Sequence, residues 1–360
     1  MSPPSPAKPL ALLRLLLIAG AAAWVLVQFV TPAATHAGIN YYYRARFLDM
    51  LNGRAWRPFV TRALLPTTVR GIVAIAPPEL QQGAADAVAR TPGLRAAFKV
   101  LGWETSAAFV YAIACVLMWL ALCGFAAAAT ALAVEAGGLP DTPLMRGALA
   151  LAALLGLPLF FRYASYIYDP AQLALFTTAL LLIARRNLRA FAAVFALACI
   201  NKETAVLLIP LAAYAWRGRL PRRRLAGFVV GLGAVYLAIR LALAWAFRNN
   251  PGSLLEFHLL DHNLALLSAP WNIGGILLAA ALAFLLLYRW RDKPVFLRVG
   301  LAGTLLPLAG MAVFFGYLDE WRGYYEAYPF ALPLMAWSVL ALGRRARVVI
   351  ESAQERNYRR

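Results

Sequence analysis

The sequence predicts an all-α polytopic integral membrane protein with about 8–10 membrane helices, some in short re-entrant-like hairpins, and a large first extracytoplasmic loop. Three observations lead there. Hydrophobic residues make up 62% of the 360 residues and charged residues only 14%, an excess of apolar side chains over soluble domains. Apolar runs of about 20 residues recur along the chain, the length a helix needs to cross a hydrocarbon core of roughly 30 Å. Most of the 35 Lys and Arg gather in short loops that fall on one side of those runs, the positive-inside pattern that marks the cytoplasmic side. The bilayer thereby accounts for the formal charge of +19, and no nucleic-acid partner is expected.

The first span is expected over residues 10–30, retained rather than cleaved, because its apolar run is longer than a signal-peptide core. The extracytoplasmic loop of residues 33–104 follows. Within it, residues 59–77 are apolar but interrupted by Arg62, Pro66 and Arg70, which reads as an interfacial or re-entrant helix. Residues 107–134 return to the cytoplasm. Residues 147–161 and 171–184 then form a hairpin of two short helices, with Arg162 to Asp169 as its polar tip.

Residues 190–200 and 204–216 form a second hairpin around Asn201, Lys202 and Glu203. A single helix over 190–216 would put Lys202 and Glu203 at mid-membrane and five arginines in a short outer loop, both costly. Backbone that leaves the helix at membrane depth is tolerated only where it is buried in protein or lines a cavity, so the two tips point to a site. Spans over 225–247, 273–288, 296–315 and 330–342 complete a membrane domain of residues 1–343. Residues 344–360 form a basic cytoplasmic tail, expected to be a solvated helix. Both termini are then cytoplasmic. Cys115, Cys123 and Cys199 all lie in apolar segments and read as free thiols.

Five polar clusters fall on the extracytoplasmic side. Lys202 and Glu203 stand out, because adjacent charges in an apolar region either pin a hairpin tip as an ion pair or bind a ligand. In the ligand reading Lys202 or a nearby arginine holds a phosphate, and Glu203 orients it. Asp49 lies in the first loop among Arg44, Arg46, Arg57 and Arg62. It is either a neutralised surface carboxylate or a general base with cations at hand for a leaving phosphate. Arg162 and Asp169 bound the third cluster. Glu320 and Arg322, with Asp319 and Glu326 nearby, form the fourth. In the fifth, His258 and His262 stand at i and i+4 with Asp261 between them, a spacing that suits a divalent metal and arises equally on an interfacial helix.

These residues resemble the pattern of bacterial polytopic glycosyltransferases of the GT-C type. The likeness lies in an early acidic residue, Asp49, ahead of Trp56-Arg57-Pro58-Phe59 and Arg62, and in Tyr168-Asp169-Pro170 leading into an apolar helix. It extends to Asn201-Lys202-Glu203-Thr204 opening a helix, and to Glu320 and Arg322 with Tyr324 and Tyr325 before the last span. The resemblance implies an inner-membrane enzyme that transfers a sugar from a polyprenyl-phosphate donor to an envelope acceptor on the periplasmic face by direct displacement. It gives Asp49 the base or metal-binding role, and Glu203 stands beside it as the second catalytic candidate. Arg57, Arg62, Arg162, Asp169, Asn201, Lys202, Glu320 and Arg322 would contact phosphate or sugar. Asp49 is followed by Met50 where the family carries an acidic pair. Two other classes compete: a non-catalytic binder or transporter of lipid-linked substrate, which would favour inverted repeats, and an envelope-assembly scaffold, in which Asp49 and Glu203 would be dispensable.

Overall fold

The computed structural model describes residues 7–33, 36–253, 257–267 and 273–358. Every regular element among them is helical. Helix α1 (Ala7–Val30) leads into a first loop that is itself largely helical: α2 (Phe47–Leu51), α3 (Leu64–Ile75), α4 (Pro78–Arg90) and α5 (Pro92–Leu101). Pro78 and Pro92 stand at the first helical position of α4 and α5, where a missing N–H costs nothing. The interrupted 59–77 segment resolves into a 3₁₀ turn over Phe59–Thr61 and then α3.

Helix α6 (Ala108–Glu135) is the central column and packs most extensively against α8 (Asp169–Ala184). Its small residues Ala126, Ala128, Ala129 and Ala133 are buried, which lets neighbouring backbones approach closely. Helix α7 (Pro143–Leu155) starts four residues earlier than the sequence suggests, because Thr142 accepts from the Met145 amide at 3.2 Å and Pro143 presets the first turn. With the 3₁₀ turn Leu157–Phe160 it makes an 18-residue run, long and apolar enough to cross a membrane, rather than the short arm expected.

Helix α9 (Leu188–Asn201), capped by Asn187, stops at Lys202, whose backbone is extended (φ −157°, ψ 145°). A 3₁₀ segment, Glu203–Leu207, then enters α10 (Leu208–Trp216). The chain therefore breaks at Asn201-Lys202-Glu203 instead of running as one helix. Helices α11 (Arg222–Ala246), α12 (Leu264–Leu267), α13 (Ile273–Leu287), α14 (Val295–Phe315) and α15 (Tyr328–Tyr358) complete the bundle, and α15 carries on through the basic tail without interruption. Cys115, Cys123 and Cys199 are free thiols.

Among the described residues, five helical runs are long and apolar enough to cross a membrane: Leu10–Val30, Thr105–Glu135, Pro143–Phe160, Arg222–Ala246 and Val295–Phe315. Leu64–Ile75, Asp169–Ala184, Leu188–Asn201, Glu203–Trp216 and Ile273–Leu287 are apolar but shorter. The first loop folds over the two hairpin tips. Ala63 N–H donates to Ile200 O at 3.1 Å, Ser165 N–H donates to Gly38 O at 3.1 Å, and His36 Nε2 meets Ser165 Oγ at 2.6 Å. Gly38 sits at φ +60° with Val30 O 2.5 Å from where a Cβ would stand, so only glycine allows this turn. Tyr168, Asp169 and Asn201 are consequently sealed from solvent, which satisfies the demand that non-helical backbone be buried in protein.

Candidate functional site

Four of the five polar clusters are far apart in sequence yet supply polar or charged side chains to the lining of one cavity of about 470 Å³, and the first loop joins them there. Arg62 comes from the first loop, Tyr163 and Tyr166 from the first hairpin tip and Lys202 and Glu203 from the second. His258 precedes α12, and Glu320 and Arg322 follow α14. Leu308, Met311, Ala312 and Phe315 of α14 form an apolar wall beside this polar set.

The charges are arranged in pairs. Arg62 donates from both Nε (3.1 Å) and Nη2 (2.5 Å) to the two oxygens of Glu203, a bidentate fork, and from Nη1 to the Tyr168 hydroxyl. Its guanidinium also lies 4.7 Å from the Tyr168 ring centroid. Arg240 of α11 lies 3.8 Å from Glu203 and donates to Thr61 Oγ1 at 3.0 Å. Arg322 donates from Nη2 (2.6 Å) and Nε (3.2 Å) to Glu320, and its Nη1 stands 3.5 Å from Asp169. The Arg322 guanidinium lies 4.1 Å from the Tyr166 ring centroid.

Behind this layer, Lys202 Nζ pairs with Glu326 Oε1 at 3.2 Å, and the Thr204 hydroxyl donates to the same oxygen. Gln172 Nε2 reaches Thr204 Oγ1 and Glu326 Oε1 at 3.3 Å each, while Asn201 Nδ2 donates to Gln172 Oε1 (3.1 Å) and to Tyr168 O (3.0 Å). Asp169 and Asn201 thus work as the buried frame of the site rather than as cavity walls.

At the rim, Asp319 collects three donors. Tyr163 OH donates to Oδ2, Arg162 Nη2 pairs with Oδ2 at 2.9 Å, and His262 Nε2 meets Oδ1 at 2.9 Å. Burial works against ionisation of Asp319, but these hydrogen bonds and the Arg162 cation outweigh it and hold the carboxyl below its ordinary range. Burial and the neighbouring carboxylate push the Tyr163 phenol up to about 12. His36, in the strap over the first tip, is shifted downward, chiefly by burial; the Thr31 carbonyl opposes this and Arg322 adds to it.

Several predicted site residues stand elsewhere. Asp49 lies half-buried in α2, where its backbone oxygen accepts from the Arg54 (2.7 Å) and Ala55 (3.0 Å) amides, and it does not line the cavity. Arg57 donates to Gly252 O at 2.7 Å and binds the first loop to the segment after α11. Arg162 acts through Asp319. His258, in the cavity lining, and His262, outside it, flank the Tyr317 ring with centroids at 4.7 and 4.0 Å, and no group of three His, Cys, Asp or Glu suited to a metal occurs among the described residues. The Asp261 side chain lies outside the described residues.

Sequence reasoning missed Arg240 and Gln172 as parts of the site, and placed Glu326 in the Glu320–Arg322 cluster without giving it a role. A lone arginine within an apolar helix was the available signal for Arg240, since such a charge faces inward and finds a partner.

Among the described residues, fold and site together define a helical bundle with five helices of membrane-crossing length and a mixed-charge cavity walled on one side by apolar residues. No protein-family model, curated protein or solved structure matches it.

Proposed function

We propose that this protein is a polytopic inner-membrane glycosyltransferase that moves a sugar from a polyprenyl-phosphate donor to an envelope acceptor on the periplasmic face. The observation that carries the reading is the convergence of Arg62, Lys202 and Arg322 with Glu203 and Glu320 on one cavity beside the apolar wall of α14. That combination suits a ligand with an anionic head and a hydrocarbon tail.

Arg322 and Lys202 are the phosphate ligands in this account. An ammonium has three donors and a guanidinium five. Glu320 takes Nε and Nη2 of Arg322, the Nη1 contact to Asp169 is long, and Lys202 makes one ion pair. Arg62, fixed by Glu203, adds positive charge at the same wall. Tyr42 at the same wall is the ring placed to meet a sugar, since the Tyr166 ring is already packed against Phe59, Tyr168 and Arg322.

In the displacement, an acceptor oxygen bonds to the anomeric carbon while the bond from that carbon to the phosphate oxygen breaks. The phosphate leaves with its polyprenyl chain and its charge is met by the cations. The acceptor proton passes to a cavity carboxylate. Glu320 and Glu203 line the cavity and Asp49 does not, so the base role belongs to the cavity pair, with Glu320 first because Arg322 takes only its Oε1 while Arg62 takes both oxygens of Glu203.

The test is reconstitution of the purified protein in proteoliposomes with polyprenyl-phosphate sugars and an envelope-fraction acceptor. Release of free polyprenyl phosphate coupled to glycosylated acceptor supports the reading. Saturable donor binding without any release removes the enzyme reading and leaves a binder or transporter. That second reading draws on a specific observation: Arg62, Lys202 and Arg322 already have carboxylate partners, the pattern of a site that holds its shape.

A further inference from the structure

A second cavity, of about 730 Å³, lies where the α6–α7 connection, the C-terminal end of α13 and the second half of α15 meet. Helix α14 runs between the two cavities. Its 21 residues span about 30 Å, so this pocket belongs to the opposite end of the bundle from the mixed-charge site. Arg289, Arg344 and Arg345 line it together with Tyr288, Trp337 and Leu340, and no acidic residue does.

Arg289 adopts a left-handed backbone (φ 50°), which non-glycine residues rarely accept, and its guanidinium lies 5.7 Å from the Trp337 ring centroid. Arg289 Nε is paired with Asp292 Oδ2 at 2.6 Å, outside the pocket lining, whereas Arg344 and Arg345 are exposed and have no ion-pair partner among the described residues. In the mixed-charge cavity, by contrast, Arg62, Lys202 and Arg322 each have a carboxylate partner.

The outer face of α13 leads away from the pocket. Ile276, Leu277, Phe284 and Leu287 are all exposed, and none of the residues of α13 is buried. A cationic, aromatic-edged pocket at the end of an uncovered apolar helix matches one kind of ligand in both its halves.

We propose that this pocket is a binding site for an anionic phospholipid. Its phosphate sits among Arg289, Arg344 and Arg345 and its acyl chains run along α13. Arginine forks take two phosphate oxygens at once, and basic pockets between membrane helices recognise anionic headgroups in this way. Trp337 and Tyr288 occupy the headgroup level, where amphipathic rings reside. The site is distinct from the transferase site and needs only that the bundle be membrane-embedded.

The experiment is thermal unfolding of the purified full chain in detergent. It is titrated separately with phosphatidylglycerol, phosphatidylcholine and inorganic phosphate, for wild type and for Arg344→Gln/Arg345→Gln. The expected result is an upward shift in melting temperature with phosphatidylglycerol alone. The double variant should need about 30-fold more of it, at about 1 kcal/mol per charge. An equal shift with inorganic phosphate would make this a free-phosphate site, and an equal shift with phosphatidylcholine would reduce it to general solvation; either overturns the proposal. If the double variant does not fold, a photoreactive phosphatidylglycerol decides on wild type. Cross-links concentrated at 288–289 and 337–345 support the site, and cross-links spread evenly over the helices refute it.

Discussion

Lys202 Nζ lies 3.2 Å from Glu326 Oε1 with the two side chains 6% and 0% exposed, so a helix break and the start of the last helix are joined by an ion pair buried at the back of the cavity, where only Lys202 reaches the lining. Glu326 Oε2 has no hydrogen-bond partner among the described residues, which leaves Oε1 to accept from Lys202, Thr204 and Gln172. Removing one partner of such a pair strands the other charge. Glu326→Leu is expected to destabilise the protein by about 3–5 kcal/mol, and Lys202→Met/Glu326→Leu to recover much of that. Unfolding of the single and double variants in detergent checks it; strictly additive losses would mean that the two groups are not coupled.

The contact between Arg322 and Tyr166 depends on the ring and not on the hydroxyl, since the guanidinium stands 4.1 Å from the ring centroid. Tyr166→Phe is expected to change stability and donor affinity little. Tyr166→Ala is expected to weaken donor binding by about 1–2 kcal/mol. Equilibrium binding of polyprenyl phosphate to both variants checks it, and equal losses would move the role to the phenol oxygen.

Acid should loosen the strap over the first tip before it loosens the cavity rim. His36 is shifted below its ordinary value of 6.5, so the unfolded chain binds the proton more readily; its contribution is complete above 6.5 and is lost as pH falls below it. Asp319 is held below 3.8, so its contribution is present above 3.8 and is lost only as pH falls through its lower folded value. Melting temperatures between pH 7 and pH 5 should therefore fall in wild type and stay flatter in His36→Gln, while Asp319→Asn should differ from wild type most at neutral pH and converge on it below about pH 4.

The Arg62–Glu203 fork should resist a conservative change. Lysine cannot reproduce two parallel N–H donors. Arg62→Lys is expected to lower activity at least tenfold while Thr61→Ser, which keeps the hydroxyl that Arg240 donates to, stays near wild type. Turnover of the two variants in proteoliposomes checks it.

The long apolar helices near 10–30, 107–134, 225–247 and 296–315 were legible because apolar length is a local signal. The break at Lys202 was legible too, because one continuous helix would have placed its charge and that of Glu203 at mid-membrane. The start of α7 was misjudged: Pro143 reads as a loop residue until Thr142 is seen to cap the first turn. The helices α4 and α5 were missed, since residues 78–101 mix small and polar side chains with weak periodicity and only the two prolines mark the starts. The convergence of the polar clusters was not legible, because it depends on the first loop folding over both tips. The same fold puts Asp49 in a separate turn, although its position in the sequence beside four arginines made it the most inviting base. Glu326 was visible as one of a polar cluster, but its pairing with Lys202, 124 positions away, is something no local pattern reveals.

The central claim is that the cavity carboxylates, and not Asp49, serve the transfer. The most direct measurement is a glycan and lipid-carrier profile of cells expressing wild type, Glu320→Gln, Glu203→Gln and Asp49→Asn at matched membrane levels. The account predicts that both glutamate variants lose a glycan and accumulate its polyprenyl-phosphate-linked donor, while Asp49→Asn keeps the wild-type profile. Loss of the glycan in Asp49→Asn with both glutamate variants unaffected would contradict it.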